Sequence, residues 1–100
     1  MHAALVHWIP AEFSSRKQAP SSLRYLRVSR FAEDGEEWPD GAWSVELTFS
    51  QPPSEHDPEE PSRAHVQFLF DEAPEERLQP SVRFGLYEGR TQVAEVEVLD

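Results

Sequence analysis

The sequence predicts an all-β fold, an antiparallel barrel of about six strands. Apolar and polar residues alternate along most segments with the period of two that is typical of a strand with one buried face. Nine prolines and several Gly, Ser and Asp clusters divide the chain into short segments, and no long window keeps the apolar period of a helix. With 100 residues, the chain has the length of one domain. We therefore expect a single β-barrel domain over residues 1–100.

Two runs in the middle of the chain are the clearest strands. Residues 43–49 and 64–70 place an apolar side chain at every second position, beginning with Trp43 in the first run and ending with Phe70 in the second. One face of each run is therefore expected to meet the core. The expected core residues of the whole chain are Val45, Leu47, Phe49, Val66, Phe68, Val82, Phe84, Leu86, Val96 and Val98.

The remaining strands lie nearer the two ends of the sequence. Residues 82–86 and 94–98 repeat the alternation on either side of Glu88-Gly89-Arg90, which predicts a β-hairpin. Residues 3–9 read as the first strand. Residues 23–31 read as the second, although their arginines do not alternate cleanly, so this strand is expected to be partly exposed.

Two loops are predicted between the later strands, at residues 51–62 and 71–80. Residues 51–62 are acidic and proline-rich, with too few apolar side chains to offset the entropy of ordering them, so we expect a mobile loop. The loop at 71–80 carries Leu78 as its expected core anchor.

Residues 13–32 contain five basic residues and no acid, whereas residues 33–62 contain ten acids and no Lys or Arg. The net charge is −10, and we expect it to be unevenly distributed.

Signatures of catalysis are absent from the sequence. It has no Gly-rich phosphate loop, no Gly-x-Ser-x-Gly elbow and no His-Glu-x-x-His motif. The pairs Glu36-Glu37, Glu59-Glu60 and Glu75-Glu76 lie in loops beside prolines, where solvated surface explains them better than acid–base chemistry. The Glu55-His56-Asp57 run lacks the spacing of metal ligands. We therefore predict no enzyme activity, no cofactor and no metal site.

The histidines and tryptophans stand at positions of the apolar–polar alternation that favour structural roles. His7 and His65 fall on expected strands, where a partly buried, hydrogen-bonded side chain is the simplest interpretation. Trp8 and Trp43 are expected to pack in the core, and Trp38 is expected to anchor a turn.

The sequence favours a cytoplasmic protein. The opening residues MHAALVHWIP lack a cationic leader and carry His7 within the apolar run, which predicts a strand rather than a signal peptide. No run approaches the roughly 20 apolar residues of a membrane span. The chain has no cysteine, which fits a reducing compartment. We expect neither a membrane nor a nucleotide as partner.

Several stretches, taken in order, resemble the C-terminal barrel domain of elongation factor Tu. The first three are ALVHWIP, SSRKQAP and LRYLRV, the second standing where the factor has a Gly-Gly-Arg-His-Thr-Pro loop. The last, VRFGLYEGRTQVAEVEVL, looks like the factor's closing hairpin around Arg-Glu-Gly-Gly-Arg-Thr-Val. The resemblance covers nearly the whole chain. It implies a stand-alone relative with a closed six-stranded antiparallel barrel and without the factor's guanine-nucleotide domain.

The resemblance also implies a binding surface. In the factor, residues of the first loop and of the hairpin turn contact the T-stem of transfer RNA. Arg16, Lys17, Glu88 and Gly89 hold the matching positions in this chain. Arg24, in the basic segment that follows the loop, completes the set of candidate binding residues.

Two functions stay open at this point. The first is a non-catalytic binding module that recognises another protein through an acidic surface, because an excess of one charge steers partners of the opposite charge. The alternative is an RNA-binding module that uses the basic segment 16–30, including Arg27 and Arg30 beside Tyr25. Phosphate contacts dominate affinity for nucleic acids, so the net charge opposes the alternative unless the basic residues form a separate patch.

Overall fold

Six antiparallel strands close into a barrel in the computed structural model, which describes residues 2–9, 23–51 and 60–100. The strands are β1 His2–Trp8, β2 Arg24–Arg30, β3 Ser44–Phe49, β4 Ser62–Phe68, β5 Arg83–Glu88 and β6 Thr91–Val98. Their order around the wall is β1, β4, β3, β2, β5, β6, and β6 pairs again with β1. The architecture confirms the predicted all-β barrel.

The interior is filled by the apolar side chains that alternate along each strand. Val6, Leu47 and Val66 are fully shielded from solvent. Burial of this apolar area drives the closure of the wall. The expected core residues that are buried are Val45, Leu47, Phe49, Val66, Phe68, Phe84, Leu86, Val96 and Val98. Val82 is only half-buried, because it precedes β5 and packs against the edge of the core.

Aromatic side chains close both ends of the barrel. At the end that holds the β5–β6 turn, which we call the hairpin end, the Trp8 and Tyr25 rings meet edge to face with their centroids 5.8 Å apart. The Trp8 indole N–H donates to Ser62 Oγ at 2.9 Å. At the opposite end, the rings of Phe31 and Phe84 stack with centroids 4.4 Å apart. Each end is therefore sealed by large apolar surfaces.

The predicted closing hairpin is present. Its two-residue turn is Gly89–Arg90, and Gly89 has a φ of 61°, in the left-handed region that glycine adopts without steric cost. Strand β6 carries one extra residue, Val93, opposite the Leu86–Tyr87 step of β5. This bulge buries Val93 and Ala94 in succession, and the predicted alternation resumes after it.

Strand β4 differs from its predicted bounds at both ends. It begins at Ser62, inside the predicted loop 51–62, because this residue pairs with β1 and is buried. It ends at Phe68, so Phe70, which was expected on the apolar face, is 54% exposed. Residues 52–59 lie outside the described residues, and the mobility of that loop stays a prediction.

Four further side chains test the burial predicted from the sequence, and two of the predictions are confirmed. Leu78 is buried, which confirms its role as the anchor of its loop. His7 is half-buried, and its Nε2 lies 3.2 Å from Glu97 Oε1, as expected. The prediction of a partly buried His65 is wrong, because His65 is on the outward row of β4 and exposed. Trp43 lies one residue before β3 and is half-buried against the core rather than inside it.

Two phenylalanines close together in the sequence provide a direct test of the assigned core. Phe68→Ala removes a buried ring and should lower the free energy of unfolding by about 3 to 5 kcal/mol. Phe70→Ala removes an exposed ring and should change it by no more than about 0.5 kcal/mol. Urea unfolding followed by circular dichroism measures both. Equal losses in the two variants would contradict the assigned end of β4.

Candidate functional site: an acidic rim

Two connections meet at the end of the barrel opposite the hairpin end. Residues 31–43 join β2 to β3, and residues 69–82 join β4 to β5. Strands β3 and β2 stand between β4 and β5 in the wall, so the second connection has to cross the barrel end past the first. Each connection contains a short 3₁₀ turn, Ala32–Glu37 in the first and Glu75–Arg77 in the second. We call this end the crossover end.

Exposed carboxylates cluster on these two connections. Between them the segments contain a single Lys or Arg, which is Arg77. The expectation that Glu36-Glu37 and Glu75-Glu76 form solvated surface agrees with their exposure. We call the exposed carboxylates of both segments the acidic rim: Glu33, Glu36, Glu37, Asp40, Asp71, Glu72, Glu75 and Glu76.

A buried ion pair joins the two connections. Arg77 Nη1 donates to Asp34 Oδ1 at 3.0 Å, and Asp34 Oδ2 accepts the backbone N–H of Phe31 at 2.8 Å. Only 6% of the Asp34 side chain and 19% of the Arg77 side chain are exposed. Removing either partner leaves the other charge unpaired where water solvates it poorly, which is strongly destabilising. The ion pair therefore holds the two acidic segments against each other.

Aromatic packing supports the same junction. The Arg77 guanidinium lies 5.5 Å from the centroid of the Phe31 ring, close enough for a cation–π contact. Farther along the first connection, the Trp38 indole N–H donates to the backbone oxygen of Ser29 at 2.9 Å. The Trp38 ring also lies against Tyr87, with centroids 4.5 Å apart. Trp38 thus anchors its loop, as the sequence predicted.

His2 connects the acidic rim to the edge of β1. Its Nε2 lies 2.9 Å from Glu75 Oε1, and its Nδ1 lies 2.8 Å from the backbone oxygen of Asp100. Both partners are acceptors, so both contacts are hydrogen bonds only when both ring nitrogens carry protons. The hydrogen bond to Glu75 and then the one to Asp100 raise the pKa of His2 above its ordinary value of 6.5.

The binding residues predicted from sequence lie toward the other end of the barrel. Arg16 and Lys17 are outside the described residues. Glu88 and Gly89 are exposed at the β5–β6 turn, and Arg24 begins β2 at the same end, since β2 and β5 are antiparallel. The structure thus brings Arg24, Glu88 and Gly89 to the hairpin end, and the common surface expected for all of these residues stays a prediction.

The charged members of this set have partners within the barrel. Arg24 Nη2 donates to Glu46 Oε2 at 2.6 Å, and Glu46 is buried although it faces outward. Glu88 Oε2 lies 3.8 Å from Arg27 Nη2. A ligand at this end therefore meets arginines whose charge is already partly balanced.

Sequence reasoning missed the residues that organise the acidic rim. Asp34 and Arg77 are separated by 43 positions, and no local pattern connects them. His2 and Glu75 are 73 positions apart. The one available signal is Arg77 itself, an isolated base within acidic segments, which is typical of a residue that an acid neutralises.

The His2 contact predicts a stability that depends on pH. A raised pKa in the folded state means that the stabilisation is fully present below the unfolded value of about 6.5 and is lost as the pH rises through the folded value. Glu75→Gln should therefore lower the free energy of unfolding at pH 6 and have little effect at pH 9. Urea titrations at both pH values measure the difference. Glu76→Gln is the matched control, and an equal pH-dependent loss in that variant would contradict the assignment.

Comparison of the chain with protein-family models, with curated proteins and with solved structures finds no match. None of the helical turns in the described part of the chain has the length or apolar character that a membrane-spanning helix requires. Within residues 2–9, 23–51 and 60–100, no group of three or more His, Asp or Glu side chains is placed to hold a metal ion. The Glu55-His56-Asp57 run lies outside these ranges. Function is therefore inferred from the surfaces of the barrel alone.

Proposed function

We propose that this barrel is a non-catalytic binding module that recognises a basic surface of another protein through its acidic rim. One observation carries the proposal: the buried Asp34–Arg77 ion pair joins two acidic segments that the sequence keeps far apart. Carboxylates on two independent loops would sample many arrangements. Held together at one end of a rigid barrel, they form a surface that a partner can match without ordering it first.

The charge of the rim suits association with a basic partner. The net charge of −10 supports long-range attraction, and the local excess of carboxylates at the crossover end gives that attraction a direction. Such steering raises association rates and discourages acidic competitors more than it raises affinity. Binding through the rim should therefore weaken steeply with added salt.

The relation to the C-terminal barrel of elongation factor Tu is part of the same proposal. It is supported by the number of strands, the closure of the wall and the final hairpin with its turn at Gly89–Arg90. The absence of cysteine from the sequence supports a cytoplasmic location. RNA binding through the basic segment 16–30 is the alternative, and the pairing of Arg24 with Glu46 weighs against it.

Affinity capture with matched charge reversals tests the proposal. Purified protein is used to capture partners from its native lysate, with and without nuclease. The rim variant carries Glu36→Lys and Glu72→Lys. The control carries Glu59→Lys and Glu60→Lys, neighbouring residues outside the acidic rim that change the net charge equally. Glu60 is exposed and precedes β4 at the hairpin end.

The expected result is a nuclease-resistant basic protein that the wild-type protein and the control retain and the rim variant loses. Affinity measured with the purified partner should fall at least about tenfold in the rim variant, equivalent to about 1.4 kcal/mol. Equal binding by the rim variant and the control would show that the rim is not the contact surface. A partner lost on nuclease treatment would favour the RNA alternative.

A further inference from the structure

An exposed aromatic ring stands directly beside carboxylates of the acidic rim. Phe70 is 54% exposed, the most of any large apolar residue that the structure describes, and Leu69 before it is 42% exposed. Asp71 and Glu72, two members of the acidic rim, follow it in the sequence. Neighbouring apolar side chains that present this much surface are typical of a contact site rather than of isolated exposed residues.

Backbone hydrogen bonds fix the position of this ring on the barrel. The Leu69 N–H donates to the Ser44 oxygen at 3.0 Å, which ties the residue before Phe70 to the start of β3. The Ala73 N–H donates to the Phe70 oxygen at 3.2 Å and closes a four-residue turn. Ala73 is buried in the core cluster, so the far side of the turn is anchored as well. A partner therefore meets a ring whose backbone is already ordered.

Cation–π contacts recur in this barrel, and the Phe70 ring does not take part in them. Arginines lie over the rings of Tyr25, Phe31 and Trp38, at 4.2 to 5.5 Å from the centroids. Among the described residues, Phe70 has no such partner. Residues 64–76 contain no Lys or Arg, and Arg77, the next base along the chain, belongs to the buried ion pair. No described base is thus in place to cover this ring.

We propose that the Phe70 ring binds a Lys or Arg side chain of the partner protein. The aliphatic stem of that side chain packs on the ring, its charged head lies over the ring face, and Asp71 and Glu72 balance its charge. The inference rests on the proposed function, because the same partner is recognised by the acidic rim. It adds a defined chemical contact to an attraction that otherwise acts at long range.

The neighbouring carboxylates favour a cation over an apolar side chain at this ring. An apolar group docked here would remove water from Asp71 and Glu72 without giving them a new partner, which costs free energy. A basic side chain offers both carboxylates an opposite charge. A cation over an exposed ring gains a modest attraction, which strengthens as the partner excludes water from the contact.

Substitutions at position 70 distinguish a cation–π contact from apolar packing. The probe is a short peptide of alternating Arg and Ser, titrated at low salt and followed through the amide chemical shifts of residues 69–73. Phe70→Tyr keeps the ring face and should bind the peptide as the wild-type protein does. Phe70→Leu keeps an apolar side chain without a ring face, and both it and Phe70→Ala should bind at least about threefold more weakly.

Matched controls exclude a general effect of lost apolar surface. Leu23→Ala removes an exposed leucine at the hairpin end and should leave the affinity for the Arg–Ser peptide unchanged. A peptide of alternating Leu and Ser should not shift the amides of residues 69–73. The Phe70 side chain is exposed, so all three variants at this position should fold, and thermal unfolding checks that they do.

Two outcomes would overturn the inference while the proposed function stands. The first is equal affinity of Phe70→Leu and the wild-type protein for the Arg–Ser peptide, which would assign an apolar contact. The second is a Phe70→Ala protein that still captures, with unchanged affinity, the partner that the rim variant loses. If the Arg–Ser peptide shifts no amide at the crossover end, both the inference and the proposed function are contradicted.

Discussion

Closure of the barrel through the short seam between β2 and β5 is the constraint on which the arrangement of its surfaces depends. The seam has three residue pairs, from Val28–Tyr87 to Arg30–Gly85, whereas β1 meets β6 through five. Since β5 lies beside β2 rather than beside β4, the connection from β4 to β5 has to cross the end of the barrel. That crossing brings Arg77 to Asp34 and assembles the acidic rim.

Patterns of neighbouring residues predict most of the fold and little of the acidic rim. The alternation from Val45 to Phe49 and the Gly89 turn are encoded in neighbouring residues, so the strands and the final hairpin are predictable. Phe70 shows where such reasoning fails, because the period of two continues past the point at which β4 loses its partner. Where a strand ends depends on what lies beside it. This information is not present in the strand itself.

The site is harder to predict for two physical reasons. The Asp34–Arg77 ion pair joins residues whose contact depends on the order of strands around the barrel, which no local pattern specifies. A different ambiguity obscures which face of β2 is exposed. Strand β2 has apolar residues on both rows, with Tyr25 inside and Leu26 and Val28 outside, so its sequence does not reveal which row meets the core.

Charge at the scale of the whole chain is a poor guide to what each surface can bind. The net charge of −10 argues against any acidic ligand. Over a Debye length of about 8 Å at physiological salt, however, a ligand responds to the nearest groups. The acidic rim and the arginines of β2 are therefore separate electrostatic environments on one barrel.

The central claim is that the crossover end holds two distant acidic segments as one rigid surface. The chain has no cysteine, so spin labels can be placed cleanly on Glu36→Cys and Glu72→Cys, one in each segment. Pulsed electron–electron double resonance measures the distance between them. The structure predicts a single short, narrow distance distribution that lengthens and broadens when Arg77→Met removes the ion pair. A broad distribution in the presence of Arg77, or one that Arg77→Met leaves unchanged, would contradict the account.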